Sequence, residues 1–244
     1  MHEPAIDLHL RDIHFQFPDE PEPVFDHLNL RLNSSGVIWI KGASGSGKST
    51  LLKLLAGLIE PTQGQYLFNG QAVDEMSFED FLPHRLRIGY AFDNGGLLNN
   101  RTIQQNLMLP LVYHNICSLE QAQARVSNLM REFQLETVAH LRPSAISGGR
   151  RKAACIARSF ILKPRILLLD DPDTGLGEEL KSSLREKLSR QIDEDLVQLA
   201  LVSSSDSHFM AEFANQVAFI QQGQISLHGL QETVPVIEKK VSGA

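Results

Sequence analysis

The sequence predicts an α/β fold: a mostly parallel sheet with helices on both faces, a small antiparallel β subdomain and an inserted α-helical subdomain. Three observations carry this. Val37-Ile38-Trp39-Ile40 reads as a buried strand that enters Gly42-Ala43-Ser44-Gly45-Ser46-Gly47-Lys48-Ser49-Thr50, after which Leu51, Leu54, Leu55 and Leu58 recur at helical spacing. Residues 166–169 are wholly apolar and end in Asp170-Asp171, the pattern of a parallel strand buried on both faces. A helical block over 102–163 separates the strands before it from those after it, so it is expected to form an inserted lobe.

In chain order, residues 5–17 alternate through Ile6, Leu8, Leu10, Ile13, Phe15 and Phe17, which predicts a strand, or two with a kink. Pro18, Pro21 and Pro23 mark a turn, and residues 24–32 read as the return strand. Ser34-Ser35-Gly36 leads into the strand before the glycine loop, and Pro61-Thr62-Gln63-Gly64 is expected to end the first helix. Residues 65–68 and then Asn69-Gly70 predict a strand and a tight turn. Residues 87–92 read as another buried strand, followed by the loop Asp93-Asn94-Gly95-Gly96-Leu97-Leu98-Asn99-Asn100. Ser118 and Gln121 fit a capping box. Leu119, Ala122, Val126, Leu129, Met130 and Phe133 fit one apolar helix face. A helix is expected after Asp171 to about residue 190, a strand at 197–202, and a closing hairpin at 218–227 around Gln222-Gly223. The expected organisation is one domain over 1–236. Its core and β subdomain lie in 1–93 and 161–236, its helical subdomain in about 94–160, and a polar tail follows at 237–244.

Net charge is −6, which argues against a broad nucleic-acid surface. The basic residues Arg150-Arg151-Lys152 and Arg158 read as a solvated helix face or as attraction toward a partner's nucleotide. Cys117 and Cys155 lack metal-ligand spacing and read as reduced core residues. No apolar run reaches the roughly 18 residues of a membrane span, and the N-terminus lacks a signal-peptide pattern. The expected location is therefore cytoplasmic.

The glycine loop fits G-x-x-x-x-G-K-[ST], in which backbone N–H groups and a helix N-terminus surround a polyphosphate. Lys48 would reach the β- and γ-phosphates and the Ser49 hydroxyl would meet Mg²⁺. A plain Gly/Ser turn is the alternative; the spacing and both flanking elements speak against it. Asp170, at the end of a buried strand, stands where Mg²⁺ is held beside such a loop. Ser147-Gly148-Gly149-Arg150 opens a helix, with Ser147 a good N-cap and the glycines a second anion nest.

Together these stretches resemble the nucleotide-binding subunits of ABC transporters over nearly the whole chain: Walker A, the Ser-Gly-Gly signature and Walker B stand in family order. The resemblance implies a P-loop NTPase with a RecA-like core. It also implies ATP and Mg²⁺ as cofactors, head-to-tail pairing with a second ATP-binding subunit (the same chain or another), and membrane permease subunits as partners at the inner face of the cell membrane. ATP on one phosphate loop would be closed over by the partner's signature turn. Phe17 matches the aromatic that stacks on adenine, with strand core packing as the alternative. Phe92-Asp93-Asn94-Gly95-Gly96-Leu97-Leu98 and Pro143-Ser144-Ala145-Ile146-Ser147-Gly148-Gly149 are similar to the bacterial Mce/Mla-type lipid-transport ATPases. Lipoprotein-release and peptide-export ATPases are close alternatives.

The departures from the family cluster at the chemistry. The Walker B Asp is followed by Asp171 where the family has Glu, a shorter candidate base. Asp93 replaces the loop Gln that senses Mg²⁺ and γ-phosphate, Ser205 stands at the switch His, and Gly177 at the D-loop Asp. Binding positions are kept and turnover positions altered, so the resemblance implies tight Mg-ATP binding with slow hydrolysis. The rival reading is a regulatory half that completes a partner's site.

Overall fold

The computed structural model describes residues 5–33, 35–93 and 95–230; Ser34, Asn94 and the expected tail at 237–244 lie outside them. The strands are β1 (Leu8–Phe15), β2 (Phe25–Leu32), β3 (Gly36–Lys41), β4 (Gln63–Phe68), β5 (Gln71–Ala72), β6 (Ile88–Ala91), β7 (Ile166–Asp170), β8 (Leu199–Ser203), β9 (Gln216–Gln221) and β10 (Gln224–Gly229). The helices are α1 (Lys48–Leu55), α2 (Phe78–Arg85), α3 (Ile103–Tyr113), α4 (Leu119–Glu132), α5 (Gly148–Ser159), α6 (Glu178–Asp193) and α7 (Ser207–Ala211).

Two sheets result. The larger runs β10-β9-β3-β8-β7-β6 and is parallel apart from the β9–β10 hairpin. Its strands alternate between two cores. Ile38, Ile40, Leu168 and Leu201 face α1 and the small sheet, while Val37, Trp39, Leu167, Leu169 and Val202 face α3 to α7. The smaller, antiparallel sheet runs β2-β1-β4-β5.

The kink expected in 5–17 is a bulge. Register slips between Leu10 and Ile13, and Asp12 takes a φ of 51°. Gly64 lies against it; a Cβ there would meet the Asp12 carbonyl oxygen at 2.3 Å. Asn69 and Gly70, both at positive φ, form the tight β4–β5 turn, and Gln222 and Gly223 do the same in the closing hairpin.

Two expectations change, and one helix was not foreseen. The first helix stops at Leu55, because Gly57 at φ +62° terminates it, and Gln63 and Gly64 already belong to β4. Leu119 is 64% exposed: as the first residue of α4 it sits above the face that Ala122, Val126, Leu129, Met130 and Phe133 bury. α2 has no counterpart in the apolar periodicity, since it is short, buries only Phe81 and contains Pro83; Ser77 caps it by accepting from Asp80 N.

The helical region has its own anchors. Capping boxes at Thr102–Gln105 and Ser118–Gln121 start α3 and α4. Asn106, fully buried, accepts from Leu98 N and donates to the carbonyls of Leu98 and Thr102, tying down the loop after β6. Among the described residues no helix is long and apolar enough to cross a membrane.

Phe133 is 1% exposed and packs near Phe160, ring centroids 6.1 Å apart. Phe133→Ala should destabilise the chain by about 3–5 kcal/mol, read as a lower midpoint in urea unfolding; a loss under about 1 kcal/mol would show that this core repacks freely.

Candidate functional site

The phosphate loop occupies the gap between β3 and α1. Gly45 and Gly47 have φ of +77° and +100°, a region that side chains resist. Gly47 is also the residue before α1, where a Cβ would meet Val24 Cγ1 at 2.7 Å and the Phe25 ring at 3.0 Å. A Cβ on Gly42 would meet Ser46 Oγ at 2.4 Å. Lys48 Nζ donates to the carbonyl oxygens of Gly42 (3.0 Å) and Ala43 (2.9 Å), which folds the ammonium back over the loop. Ser46 Oγ is buried without a hydrogen-bond partner among the described residues, an acceptor and donor available to a ligand.

A cleft of about 820 Å³ is lined by Gly45, Ser46, Gly47, Ser49 and Thr50 at one end and by Phe17, Val24 and Gln222-Gly223 elsewhere. Phe17 lies beyond the end of β1 and is 36% exposed. Its ring meets the core ring of Phe15 edge-on at 4.9 Å. It thus contacts the core and also borders the cleft.

The carboxylates stand at the C-terminal edge of the same sheet. Register places Ile40 opposite Ser203 and Ser203 opposite Asp170. Ser203 Oγ donates to Asp170 Oδ1 and accepts from Asp171 N, both at 2.8 Å. One hydroxyl so orients the buried Asp170 and the following peptide, which enters the left-handed region at Asp171 (φ 43°). Burial pushes the Asp171 carboxyl up from the ordinary range; the charges of Asp170, Asp93 and Asp173 add to this, and Lys48 partly offsets them. Asp173 is itself buried, with Oδ1 unpartnered among the described residues.

This surplus of negative charge suits a divalent cation. Ser49 and Asp170 are hard oxygen donors of the kind Mg²⁺ takes. Among the described residues no group of three or more His, Cys, Asp or Glu could hold a metal ion. A cation here would therefore need phosphate oxygens as well, the usual arrangement for Mg²⁺ with nucleotides. Asp93, expected as a metal and catalytic residue, is engaged by Lys152: its Oδ1 accepts at 2.9 Å and its backbone carbonyl at 2.7 Å. Ser205 is exposed, two residues beyond Ser203. Trp39 Nε1 fixes that turn by donating to Ser204 O at 2.9 Å. The nearby His208 side chain is 87% exposed.

The signature turn lies elsewhere on the chain. Ser147 caps α5 by accepting from Arg150 N. A second cleft of about 580 Å³ is lined by Gly148, Gly149, Thr174 and Gly175 together with Asp93 and Lys152. Gly149 is explained by contact rather than by turn geometry: a Cβ there would meet Gly175 O at 2.6 Å. The basic run divides: Arg150 and Arg151 are exposed, as expected of a solvated face, and Lys152 is buried. Arg151 donates to the carbonyls of Pro143 and Ile146, and the Lys152 side chain is only 7% exposed. Ser203, Asp173 and Gly175 were given no role from the sequence, and Lys152 was read there only as part of the basic run. Lys152 had a signal: it lies three, four and seven residues before the buried Cys155, Ile156 and Ser159, on one helix face.

Comparison with known proteins follows the same lines. A family model described as ABC transporter matches residues 25–174. A probable sulfate/thiosulfate import ATP-binding protein of Chlorella vulgaris is 32% identical over 200 residues, 82% of each chain. The intermembrane phospholipid transport system ATP-binding protein MlaF of Haemophilus influenzae is 29% identical over 86% of this chain and 79% of its own. Other sulfate/thiosulfate import relatives are longer; the chain spans 56–60% of their length. A dimeric ATP-binding cassette solved in a post-hydrolysis state with ADP and Pi shares the fold, with TM-score 0.83, 24% identity, and coverage of 93% of this chain and 100% of that one.

The raised Asp171 carboxyl has a consequence for stability. Its folded pKa lies above the unfolded value, so its contribution is fully present below about pH 4 and is lost as pH rises through the folded pKa. In metal-free, nucleotide-free buffer at about pH 7, Asp171→Asn should melt higher than the unsubstituted chain. The difference should shrink as pH falls toward about 4; a gap independent of pH in thermal melts would contradict this.

Proposed function

The chain belongs to the ABC transporter family, as an ATP-binding subunit, and we propose that it binds Mg-ATP between two subunits and turns it over slowly while driving a membrane permease. One observation carries this reading: the two clefts of a single chain have separate linings. The phosphate loop with Phe17 forms one, and Gly148 and Gly149 of the signature turn border the other. Each suits half of a triphosphate site, so the complete site calls for a second subunit, placed head to tail.

In this reading Gly42 to Thr50 wrap the phosphates and Phe17 takes the adenine face. Lys48 leaves the Gly42 and Ala43 carbonyls for the β- and γ-phosphates. Ser49 and Asp170 would hold Mg²⁺, which supplies charge neutralisation at the phosphates when bound. A water oxygen attacks the γ-phosphorus, the bond to the β–γ bridging oxygen breaks to release ADP, and the water proton passes to Asp171. The raised Asp171 carboxyl makes it a competent acceptor. Its short side chain, starting from a left-handed backbone, sets the acceptor back from where Glu would place it, and small displacements of a positioning group are expensive in rate. Ser205 is a short substitute for a γ-phosphate contact. The helical region at about 94–160 and its 93–100 loop are the side offered to the permease, which places the subunit peripherally at the inner face of the membrane. A lipid cargo rests on the 92–98 and 143–149 stretches and on the likeness to the phospholipid transport protein; the sulfate/thiosulfate likeness keeps other cargoes in play.

Lys48→Ala should abolish binding of a fluorescent ATP analogue. In the complex with its permease, steady-state turnover should be slow and Asp171→Glu should raise kcat by about tenfold, equivalent to about 1.4 kcal/mol. Turnover already at the level of ordinary ABC transporters would remove the slow-hydrolysis part. Activity untouched by Asp171→Ala would favour the regulatory-half reading.

A further inference from the structure

We propose that Lys152 is a positioning residue: with Cys155 it clasps the 92–96 loop to α5, and its ammonium screens the Asp93 carboxylate from the phosphate end of the nucleotide site. The clasp stands on geometry alone, whereas the screening rests on the nucleotide reading above. Lys152 Nζ donates to both Asp93 Oδ1 and Asp93 O, so the lysine grips side chain and backbone of one residue. A lysine this deeply buried persists only with such partners, because an unpaired charge in low dielectric is costly. One turn along the same helix face, Cys155 Sγ donates to Gly95 O and lies 3.8 Å from Phe92 O. Gly96 completes the fit: a Cβ there would meet the Phe92 ring at 2.9 Å and Arg158 Nη2 at 3.4 Å. The loop therefore crosses α5 in contact on both sides of Asp93.

The screening follows from charge. Ala91 of β6 pairs with Leu169 of β7, so Asp93 leaves the sheet at the same edge as Asp170 and Asp171, and three carboxylates gather there with the buried Asp173. An incoming triphosphate brings several more negative charges to this place. Lys152, 2.9 Å from Asp93 Oδ1, takes one carboxylate out of the balance from the signature-turn cleft, outside the lining of the phosphate-loop cleft. Remove the ammonium and Asp93 repels the γ-phosphate directly. A divalent cation would then have to do what Lys152 did, so nucleotide affinity becomes more dependent on Mg²⁺.

The full chain in a Cys117→Ser background tests both halves. The rate of Cys155 alkylation by iodoacetamide without nucleotide reads the clasp; ATP affinity with EDTA and with Mg²⁺ reads the screening. Lys152→Gln should weaken Mg-free ATP binding about three- to tenfold, with Mg²⁺ recovering most of the loss, and should speed alkylation about tenfold when rates are compared per thiolate, since losing the ammonium also pushes the Cys155 thiol further up. Lys152→Arg, which keeps the charge, should retain the Mg-free affinity, and the double variant Asp93→Asn/Lys152→Gln should regain it. Alkylation unchanged in Lys152→Gln overturns the clasp. Mg-free affinity unchanged there, or lost equally in the double variant, overturns the screening. If the unsubstituted chain binds no ATP with or without Mg²⁺, the nucleotide reading itself falls and takes the screening with it, while alkylation still decides the clasp.

Discussion

The hydroxyl of Ser203 is the point on which the site's geometry turns. It lies in the strand between β3, which carries the phosphate loop, and β7, which carries Asp170. By donating to Asp170 and accepting from Asp171 N it converts strand register into a fixed relation between the loop and two carboxylates. The rest of the sheet serves this row. Alternating side chains fill a core on each face, so a one-residue slip would exchange the two cores and cannot be accommodated.

The site so built is electrostatically unfavourable when empty. Four aspartates are brought to one sheet edge, with two lysines among them. The fold tolerates this because each charge is held locally: Asp170 by Ser203, Asp93 by Lys152, and Lys48 by two loop carbonyls. Among the described residues Asp171 and Asp173 are the two of these left short of partners, in keeping with the raised Asp171 carboxyl and the orphaned Asp173 oxygen. Binding sites commonly keep such unpaid interactions, which a cationic or hydrogen-bonding ligand then satisfies.

Much of this was legible in the chain itself. The strand, glycine loop and helix around Lys48 declare themselves by spacing, and β7 and β8 by their apolar runs, since two-sided burial demands them. The hairpin turns are spelled by Asn69-Gly70 and Gln222-Gly223, where positive φ selects those residue types. What escaped depended on contacts between distant segments. Gly149 answers to Gly175, Gly64 to the Asp12 bulge and Lys152 to Asp93; no local pattern names such partners. α2 escaped for a different reason, its fold being held by a cap and a single buried Phe81 rather than by an apolar stripe.

Gly47 joins the small sheet to α1 at the loop. Phe25, which opens β2, and Val24 just before it press on the residue that precedes α1. Anything that stiffens the loop is thereby transmitted to β2 and to the sheet behind it. Hydrogen exchange in the small sheet should consequently slow along with that of α1 when the cleft is filled, the two halves behaving as one cooperative unit rather than as a rigid core with a loosely attached flap.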